Sequence, residues 1–389
     1  MKSPISLRSK LPKVGTTIFT VMSKMANDYN AINLSQGFPN FPVDDKLIEM
    51  YTQSMKKGFN QYCPMQGVMD LREAIAEKTE RLYGAQYCPD KEVNITAGAT
   101  QAIFTIISTV INEGDEVIII EPAYDCYEPA IELMGGITNR VQLQEGTYQV
   151  NWTEVQKMIN SKTKLLIINT PHNPTGSILK KEDMEELQKI VKWNDQLMIL
   201  SDEVYEHIIF DGEKHESVCN YPELASKSFV VYSFGKTFHA TGWKVGYVLA
   251  PENLMAEFRK VHQFNVFTVN TPVQYALAEY LRDENNYIHL SEFYQNKRDF
   301  FYHAIKQTKF DIIPSQGTYF AMLNYSSYTD EGDVQFAERM TKEYGVASIP
   351  VSVFYTNKRD DKVLRFCFAK TEDMIEEAAE RLIKIPELV

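Results

Sequence analysis

The sequence predicts an α/β fold in which helices cover a large, mainly parallel sheet and a smaller α+β lobe follows. Between positions 93 and 233, short apolar runs alternate with helical patterns, which is typical of a parallel sheet with helices on both faces. Beyond Pro272 the chain becomes rich in helical patterns and then returns to short strands, which indicates a second lobe. The length of 389 residues fits two domains, or one large domain with a lobe.

Six strands are predicted in the large part, at positions 93–96, 116–120, 137–143, 164–168, 197–200 and 229–233. Helical patterns precede or separate them at positions 44–57, 68–83, 98–110, 125–134, 153–159 and 181–191. Gly84 ends the second of these helices, because glycine readily adopts the left-handed conformation that follows many helices. Functional residues in parallel sheets gather where the strands end, so the loops after these strands are the first candidates for a site.

The smaller lobe is predicted to hold helices at positions 273–281, 287–306, 334–344 and 372–383, with strands at 319–323, 347–349 and 363–368. Near the start of the chain, Ile18, Met22 and Met25 follow a helical pattern, and an irregular stretch rich in glycine and proline comes after them. We therefore predict an N-terminal segment, 1–45, that joins the small domain, a large domain, 46–272, and a small C-terminal domain, 273–389.

Charge and composition exclude several classes of protein. The net charge of −12 argues against general binding to nucleic acid or to anionic membranes. The chain has no signal-peptide core and no apolar run of about 20 residues, so a cytoplasmic protein without membrane contact is expected. The five cysteines form no Cys-x-x-Cys pair and the seven histidines show no metal-binding spacing, so neither a disulfide framework nor a metal site is expected.

The loops after three of the predicted strands carry groups that suit a flat, phosphorylated ligand. Ala99 and Thr100 begin a helix, where free backbone amides and the helix dipole favour a phosphate. Tyr124 could stack on a flat ring, and Asn173, held between prolines, would offer a fixed donor. Each also has an ordinary structural explanation, namely a capped helix, a core aromatic residue and a turn.

The last two strands of the large part end in an acid and an amine. Asp202 and Tyr205 lie three residues apart and could face one pocket, although Asp202 could equally cap a helix. Lys236 follows the final strand and is flanked by Ser233 and Lys244. A lysine is most often exposed, but one held at the end of a buried strand can form an imine with an aldehyde cofactor. Together these loops supply a phosphate cradle, a stacking ring, an acid, a phenol and an amine, as pyridoxal phosphate requires.

Eight ordered segments carry a family resemblance. They read NLSQGFPNFP, FNQYCPMQG, EGDEVIIIEPAYDCYEPA, NTPHNPTG, SDEVYEHIIFDG, SFGKTFHATGWKVGY, HQFNVF and the strand that holds Arg365. One such segment is a weak signal, whereas the ordered set is a strong one. The chain resembles the class I aminotransferases of the fold-type I pyridoxal-phosphate family, in the branch of the methionine aminotransferases, the kynurenine aminotransferases and glutamine transaminase K. This resemblance implies a seven-stranded sheet and a homodimer with shared active sites.

The resemblance also implies a role for each residue around the cofactor ring. Lys236 would hold pyridoxal 5'-phosphate as an imine and later move the substrate proton. Asp202 would pair with the pyridine nitrogen, and Tyr205 and Asn173 would bond the phenolic oxygen. Tyr124 would stack on the ring.

The cofactor phosphate would be held by several residues at once: Ser233, Lys244, the amides of Ala99 and Thr100, and Tyr62 from a second subunit. Lys244 stands where many relatives carry arginine, and a lysine is a point charge rather than a bidentate fork. The phosphate turn reads AGATQ, with less glycine than in close relatives. The family also implies cis peptide bonds before Pro122 and Pro174.

On the substrate side, Arg365 would grip the α-carboxylate, aided by Asn173 and the backbone of Gly37. The resemblance places three aromatic residues near the substrate side chain: Phe38, Tyr319 and, from the partner subunit, Phe267. The sequence identifies no second arginine for an acidic side chain, which favours uncharged amino acids.

The implied activity is transfer of an amino group from a neutral or aromatic amino acid to a 2-oxo acid by a ping-pong mechanism. Candidate donors are methionine, phenylalanine, tyrosine, histidine, glutamine and kynurenine. An alternative on the same cofactor residues is a carbon–sulfur β-lyase acting on cysteine S-conjugates or cystathionine-type substrates. A regulator that only binds the cofactor is disfavoured, because the first family motif begins near Leu34 and leaves little room for a DNA-binding unit, and the chain is acidic.

Overall fold

The computed structural model describes residues 5–387 and confirms the α/β fold with a seven-stranded sheet. The described strands, in chain order, are β1 (Ile32–Asn33), β2 (Val93–Thr96), β3 (Glu116–Glu121), β4 (Ile137–Gln142), β5 (Thr163–Asn169), β6 (Met198–Asp202), β7 (Ser228–Ser233), β8 (Gly246–Leu249), β9 (Asp311–Ile313), β10 (Phe320–Asn324), β11 (Val346–Ala347), β12 (Ile349–Pro350) and β13 (Val363–Cys367).

The described α-helices are α1 (Ile18–Asp28), α2 (Asp45–Lys56), α3 (Met69–Tyr83), α4 (Ala99–Val110), α5 (Tyr127–Leu133), α6 (Trp152–Met158), α7 (Lys181–Lys192), α8 (Pro222–Ala225), α9 (Phe234–Thr237), α10 (Glu252–Asn265), α11 (Thr271–Leu281), α12 (Leu290–Ala304), α13 (Asp333–Glu343) and α14 (Glu372–Leu382). As predicted, α3 stops at Gly84, which is left-handed with φ +67°.

The large sheet has the strand order β2-β8-β7-β6-β5-β3-β4. The strands from β7 to β4 run parallel, and β3 and β5 are almost wholly buried because helices cover both faces of the sheet. The seventh strand, β8, pairs antiparallel with both β2 and β7. Neither β8 nor the helix α10 stood out in the sequence pattern, since β8 is only four residues long and α10 buries a narrow stripe at Met255, Phe258 and His262.

Three neighbouring parallel strands end at one edge of this sheet. The ends of β5 and β6 are in register, so that Asn169 pairs with Asp202, and β7 ends beside them at Ser233. Because β7 passes directly into the one-turn helix α9, Lys236 lies just beyond the same edge. The strand order therefore brings together residues that are up to 67 positions apart in the stretch from Asn169 to Lys236.

The C-terminal part contains a four-stranded antiparallel sheet with the order β12-β13-β10-β9. The predicted strand at 347–349 is wrong in detail: β11 and β12 are two strands, and β11 pairs with β1 near the start of the chain. Helix α1 packs against α13 in this same region. These contacts connect the N-terminal segment with the C-terminal elements, while the division into segments 1–45, 46–272 and 273–389 stays a prediction.

A bilayer-crossing helix is not found among residues 5–387.

Candidate active site

A cavity of about 300 Å³ lies at the carboxyl edge of the large sheet, between that sheet and the C-terminal part. Its walls come from the ends of β5, β6 and β7, the start of α4, the loop around Gly37 and the strand β13. It brings together eleven residues singled out in the sequence: Gly37, Ala99, Thr100, Tyr124, Asn173, Asp202, Tyr205, Ser233, Lys236, Lys244 and Arg365.

The amine of Lys236 is held in this cavity by two hydrogen bonds. Its Nζ atom donates to the hydroxyl of Tyr319 at 2.7 Å and to the carbonyl oxygen of Gly37 at 3.1 Å. Burial lowers the pKa of Lys236 to about 8, and the nearby charges of Arg365 and Lys244 act in the same direction. An amine with such a pKa is partly neutral near pH 7, as nucleophilic or basic chemistry requires.

Asp202 ends β6 and is buried on the opposite wall. Its Oδ2 atom accepts a 2.6 Å hydrogen bond from the hydroxyl of Tyr127, and its Oδ1 atom accepts a longer bond of 3.4 Å from the amide of Val204. Burial raises the pKa of Asp202 to about 6, although the Tyr127 hydroxyl opposes that rise. No cation is paired with this carboxylate within residues 5–387, so it is suited to a cationic group of a ligand.

Arg365 lies on β13 and is only 1% exposed. Its two terminal nitrogens donate to Oδ1 of Asn173 at 2.8 Å and to the carbonyl oxygen of Ser35 at 2.9 Å, while its Nε atom has no hydrogen-bond partner within residues 5–387. The guanidinium stacks against Phe320, with 3.9 Å from its central carbon to the ring centre. Burial lowers the pKa of Arg365. A buried guanidinium without a carboxylate partner among the described residues is suited to bind the carboxylate of a ligand.

The first turn of α4 forms a cradle of free backbone amides. Gly98 precedes the helix with φ +80°, and no side chain in the described part of the chain caps the free amides that follow it. A Cβ atom at Gly98 would lie 3.2 Å from Nζ of Lys244, so this amine lies directly beside the helix start. Ser233 and Thr241 line the same cavity. Uncapped amides, an ammonium and two hydroxyls together match the needs of a phosphate group.

Four of the residues predicted for the site do not line the cavity of the same chain. Tyr62 is 79% exposed and Phe267 is 51% exposed, and their rings meet edge to face with 5.1 Å between centres. Phe38 is 44% exposed, and its carbonyl oxygen accepts a hydrogen bond from Lys370. Tyr319 is fully buried, and its hydroxyl contacts two residues that line the cavity, Lys236 and Gly37.

Other residues of the site were missed in the sequence. The cavity is also lined by Phe19, Gln36, Asn169, Thr241 and Phe320, and Tyr127 lies directly behind it. Two signals could have identified some of them. Asn169 ends the strand beside the one that ends in Asp202, and Thr241 lies in the chain between Lys236 and Lys244. Phe19 gave no local signal, because only folding brings helix α1 to this cavity.

The peptide bonds before Pro122 and Pro174 are cis, as expected, and the bond before Pro171 is also cis. The amide of Asn173 donates to Oδ1 of Asn169 at 2.8 Å, and the side-chain amide of Asn169 donates to the carbonyl oxygen of Asp202 at 2.8 Å. These bonds fix the loop that carries Asn173 against the end of β6.

Comparisons with known proteins agree with this geometry. A family model described as "Aminotransferase class I and II" matches residues 29–382. Methionine aminotransferase of Escherichia coli is 47% identical over 381 residues, covering 98% of each chain. Kynurenine–oxoglutarate transaminase of Dictyostelium discoideum is 35% identical, covering 95% of this chain and 94% of the relative.

The fold is similar as well. A crystal structure of an Escherichia coli protein, for which a methionine aminotransferase function was identified, superimposes with a TM-score of 0.95 and 47% identity and covers 98% of this chain and 100% of the other. The family match extends over most of the chain and includes every residue of the cavity except Phe19. The chain therefore belongs to the class I and II aminotransferases, and it is a transaminase of fold type I.

Proposed function

We propose that this transaminase uses pyridoxal 5'-phosphate to move the amino group of a neutral amino acid, methionine being the foremost candidate, to a 2-oxo acid. The observation that carries the proposal is the desolvated amine of Lys236, which shares one cavity with a buried arginine that has no carboxylate partner among the described residues and with the uncapped start of α4. The similarity to methionine aminotransferase of Escherichia coli supports the choice of methionine.

The residues present fit this cofactor. The uncapped start of α4, with Lys244, Ser233 and Thr241, would hold the phosphate. Asp202 would face the ring nitrogen, and Tyr205 and Asn173 would face the phenolic oxygen. Tyr124 would stack on the ring, and it lines the cavity together with Thr100 of the cradle. When bound, the cofactor supplies an electron sink for the carbon next to the amino group.

Lys236 would then act as the acid and base of the reaction. With a pKa of about 8, about a tenth of this amine is neutral at pH 7, and the neutral form can accept the proton at Cα. The nearby positive charges of Arg365 and Lys244 favour its deprotonated form. The same nitrogen would then donate this proton again later in the half-reaction. Lys236 would therefore serve as both base and acid in each half of a ping-pong cycle.

Arg365 would bind the α-carboxylate of the substrate and orient it. Its position is rigid, because Asn173 and the carbonyl of Ser35 hold two nitrogens and aromatic rings enclose the guanidinium. A fixed clamp determines which bond at Cα faces the ring. The rest of this wall is formed by Phe19, Phe320 and Gln36, without a further cation among the described residues near them, which suits an uncharged side chain.

The active unit would be a homodimer with shared active sites. Tyr62 and Phe267 form an exposed aromatic pair outside the cavity of their own chain, which is consistent with a role across a subunit boundary. In this assembly Tyr62 would reach the partner's phosphate cradle and Phe267 the partner's substrate side chain, while Phe38 and Tyr319 would complete the pocket.

One panel of half-reactions tests the proposal. The purified protein is loaded with pyridoxal phosphate and mixed with single amino acids, and the change in cofactor absorbance is recorded. We expect methionine and aromatic amino acids to react much faster than aspartate. Formation of pyruvate and ammonia without an added 2-oxo acid would instead identify a β-lyase, and absence of any absorbance change would contradict the proposal.

A further inference from the structure

Tyr127 is the first residue of α5, and its hydroxyl contacts the carboxylate of Asp202 directly. The two oxygens are 2.6 Å apart, and both side chains are buried. The only other hydrogen bond to this carboxylate among residues 5–387 is the 3.4 Å contact from the amide of Val204. Tyr127 is therefore the one close donor to this acid in the described part of the chain, and a short bond to an ionised oxygen is a strong one.

The other ionisable groups around Asp202 act without touching it. Lys236 faces it from α9, Glu203 follows it in the chain, and Tyr124 and Cys126 face it from the loop before α5. Burial works against the ionised carboxylate, and no other side chain donates to it in the described region. The bond from Tyr127 is thus the main local interaction that favours the charged form.

The position of Tyr127 also makes it rigid. Its ring meets that of Tyr124 edge to face, with 5.9 Å between centres and 79° between planes. Tyr127 also lines a second cavity of about 360 Å³. A fixed phenol at this place defines where the carboxylate points.

Resting on the proposed function, we propose that Tyr127 is a positioning residue that orients the carboxylate of Asp202 and keeps it ionised toward the cofactor ring nitrogen. It touches neither the substrate nor the reacting atoms. Its contribution is to extend cofactor binding to lower pH, where an acid buried without this donor would already be protonated.

The first test measures the titration midpoint of the Asp202 carboxyl group in the cofactor-free full-length protein. Aspartate labelled with ¹³C in the side-chain carboxyl carbon is incorporated, the Asp202 signal is assigned with Asp202→Asn, and its chemical shift is followed from pH 4 to pH 9. Tyr127→Phe keeps the ring and removes the donor, so we expect the midpoint to rise by about one pH unit. The matched control is Tyr280→Phe, which removes a buried phenol that donates to Asp44 at 2.9 Å and leaves the Asp202 midpoint unchanged.

The second test reads cofactor binding. Dissociation constants for pyridoxal phosphate are measured for wild type and Tyr127→Phe between pH 5 and pH 8. If binding requires ionised Asp202, a rise of one unit makes the ratio of the two constants climb from about one at pH 8 to about ten at pH 5. A loss of packing alone would give a ratio that does not change with pH. Titration of the cofactor phosphate is common to both proteins and cancels in the ratio.

The outcomes separate this inference from the proposed function. If wild type binds no pyridoxal phosphate, the proposed function fails, and the Asp202 titration still decides whether Tyr127 governs the acid. If wild type binds the cofactor while the midpoint stays unchanged and the ratio stays flat, the inference alone is overturned. Should Tyr127→Phe not fold, 3-fluorotyrosine placed at position 127 strengthens the donor and must move the Asp202 midpoint downward; an unchanged midpoint would overturn the inference equally.

Discussion

Lys236 and Tyr319 form a contact that links the amine of Lys236 to the N-terminal loop. The Nζ atom lies 2.7 Å from the phenol oxygen, and both groups donate to the carbonyl oxygen of Gly37, the phenol at 2.5 Å. Tyr319 precedes β10, and Gly37 belongs to the loop after β1. Three distant parts of the chain therefore meet at the one nitrogen that we expect to carry the chemistry.

Removal of this phenol is expected to lower the pKa of Lys236 below its value of about 8. The hydroxyl accepts from the ammonium form, so Tyr319→Phe should destabilise that form and move the midpoint down by about half a unit to one unit. The measurement is the pH dependence of Lys236 acylation in cofactor-free protein, read by peptide mass spectrometry. Tyr294→Phe is the matched control, since the buried hydroxyl of Tyr294 has no hydrogen-bond partner among the described residues. Equal midpoints for Tyr319→Phe and wild type would contradict the coupling.

Replacement of the amine itself is expected to stop the reaction without unfolding the protein. Lys236→Ala removes the proposed covalent anchor and base, so single-turnover rates should fall by at least about 10²-fold to 10⁴-fold. The characteristic absorbance of bound cofactor should change as well, while circular dichroism stays the same. Lys297→Ala is a useful comparison, because this lysine is also partly buried but lies outside the cavity. Turnover retained in the first variant would show that another group performs the chemistry.

Loss of the arginine fork is expected to weaken substrate binding. Arg365→Lys keeps the charge but removes bidentate geometry, so KM for methionine should rise about 10-fold to 100-fold, which corresponds to about 1.5–3 kcal/mol for a hydrogen bond to a charged group. Arg298→Lys serves as control, since Arg298 makes a bidentate pair with Asp211 away from the cavity. Steady-state kinetics give KM for methionine in both variants. Equal increases in KM would contradict the role of Arg365 as the carboxylate clamp.

Asp202 gives the cofactor-free protein a pH-dependent stability. Its pKa in the folded chain, about 6, exceeds its ordinary value of 3.8, so the folded state binds the proton more tightly and loses stability as the pH rises between these values. Above pH 6 the penalty reaches about 3 kcal/mol. Asp202→Asn removes it, so the variant should be more stable than wild type at pH 8, with a gain that shrinks toward pH 4.

Urea unfolding of the cofactor-free proteins at pH 4, 6 and 8 measures this difference. Asp195→Asn is the control, because the carboxylate of Asp195 is 94% exposed and the substitution should change little at any pH. A gain for Asp202→Asn that is the same at all three pH values would contradict the assignment of the shift to this carboxylate.

The phosphate cradle should be sensitive to one added methyl group. At Gly98→Ala the new Cβ would lie 3.2 Å from Nζ of Lys244, at a residue with φ +80°. We expect the dissociation constant for pyridoxal phosphate to rise by about tenfold or more, whereas binding of pyridoxal without phosphate changes less. Gly84→Ala imposes similar backbone strain at φ +67° but meets no atom within 4 Å, so it separates strain from crowding. An equal effect of both variants on cofactor affinity would place the phosphate elsewhere.

Much of the candidate site could be predicted from the sequence, because the ends of strands can be recognised in the pattern of apolar and polar residues. Asn173, Asp202 and Lys236 each follow an apolar run that predicts a buried strand. These polar side chains are expected at an edge of the sheet, because an unpaired polar group inside the sheet would be unfavourable. The order of the motifs identified the family, and the structure brings the corresponding side chains into one cavity.

Features that depend on contacts between distant parts of the chain could not be predicted from the sequence. The sequence did not show that Phe19 would enclose the guanidinium of Arg365, nor that Tyr319 would hold the amine of Lys236. Local pattern determined which residues form strands, helices and polar loops, because hydrophobic periodicity acts over a few positions. Only the tertiary structure decided which of these groups share a cavity and which pKa values shift, because burial and pairing are set by neighbours that the chain brings together from far apart.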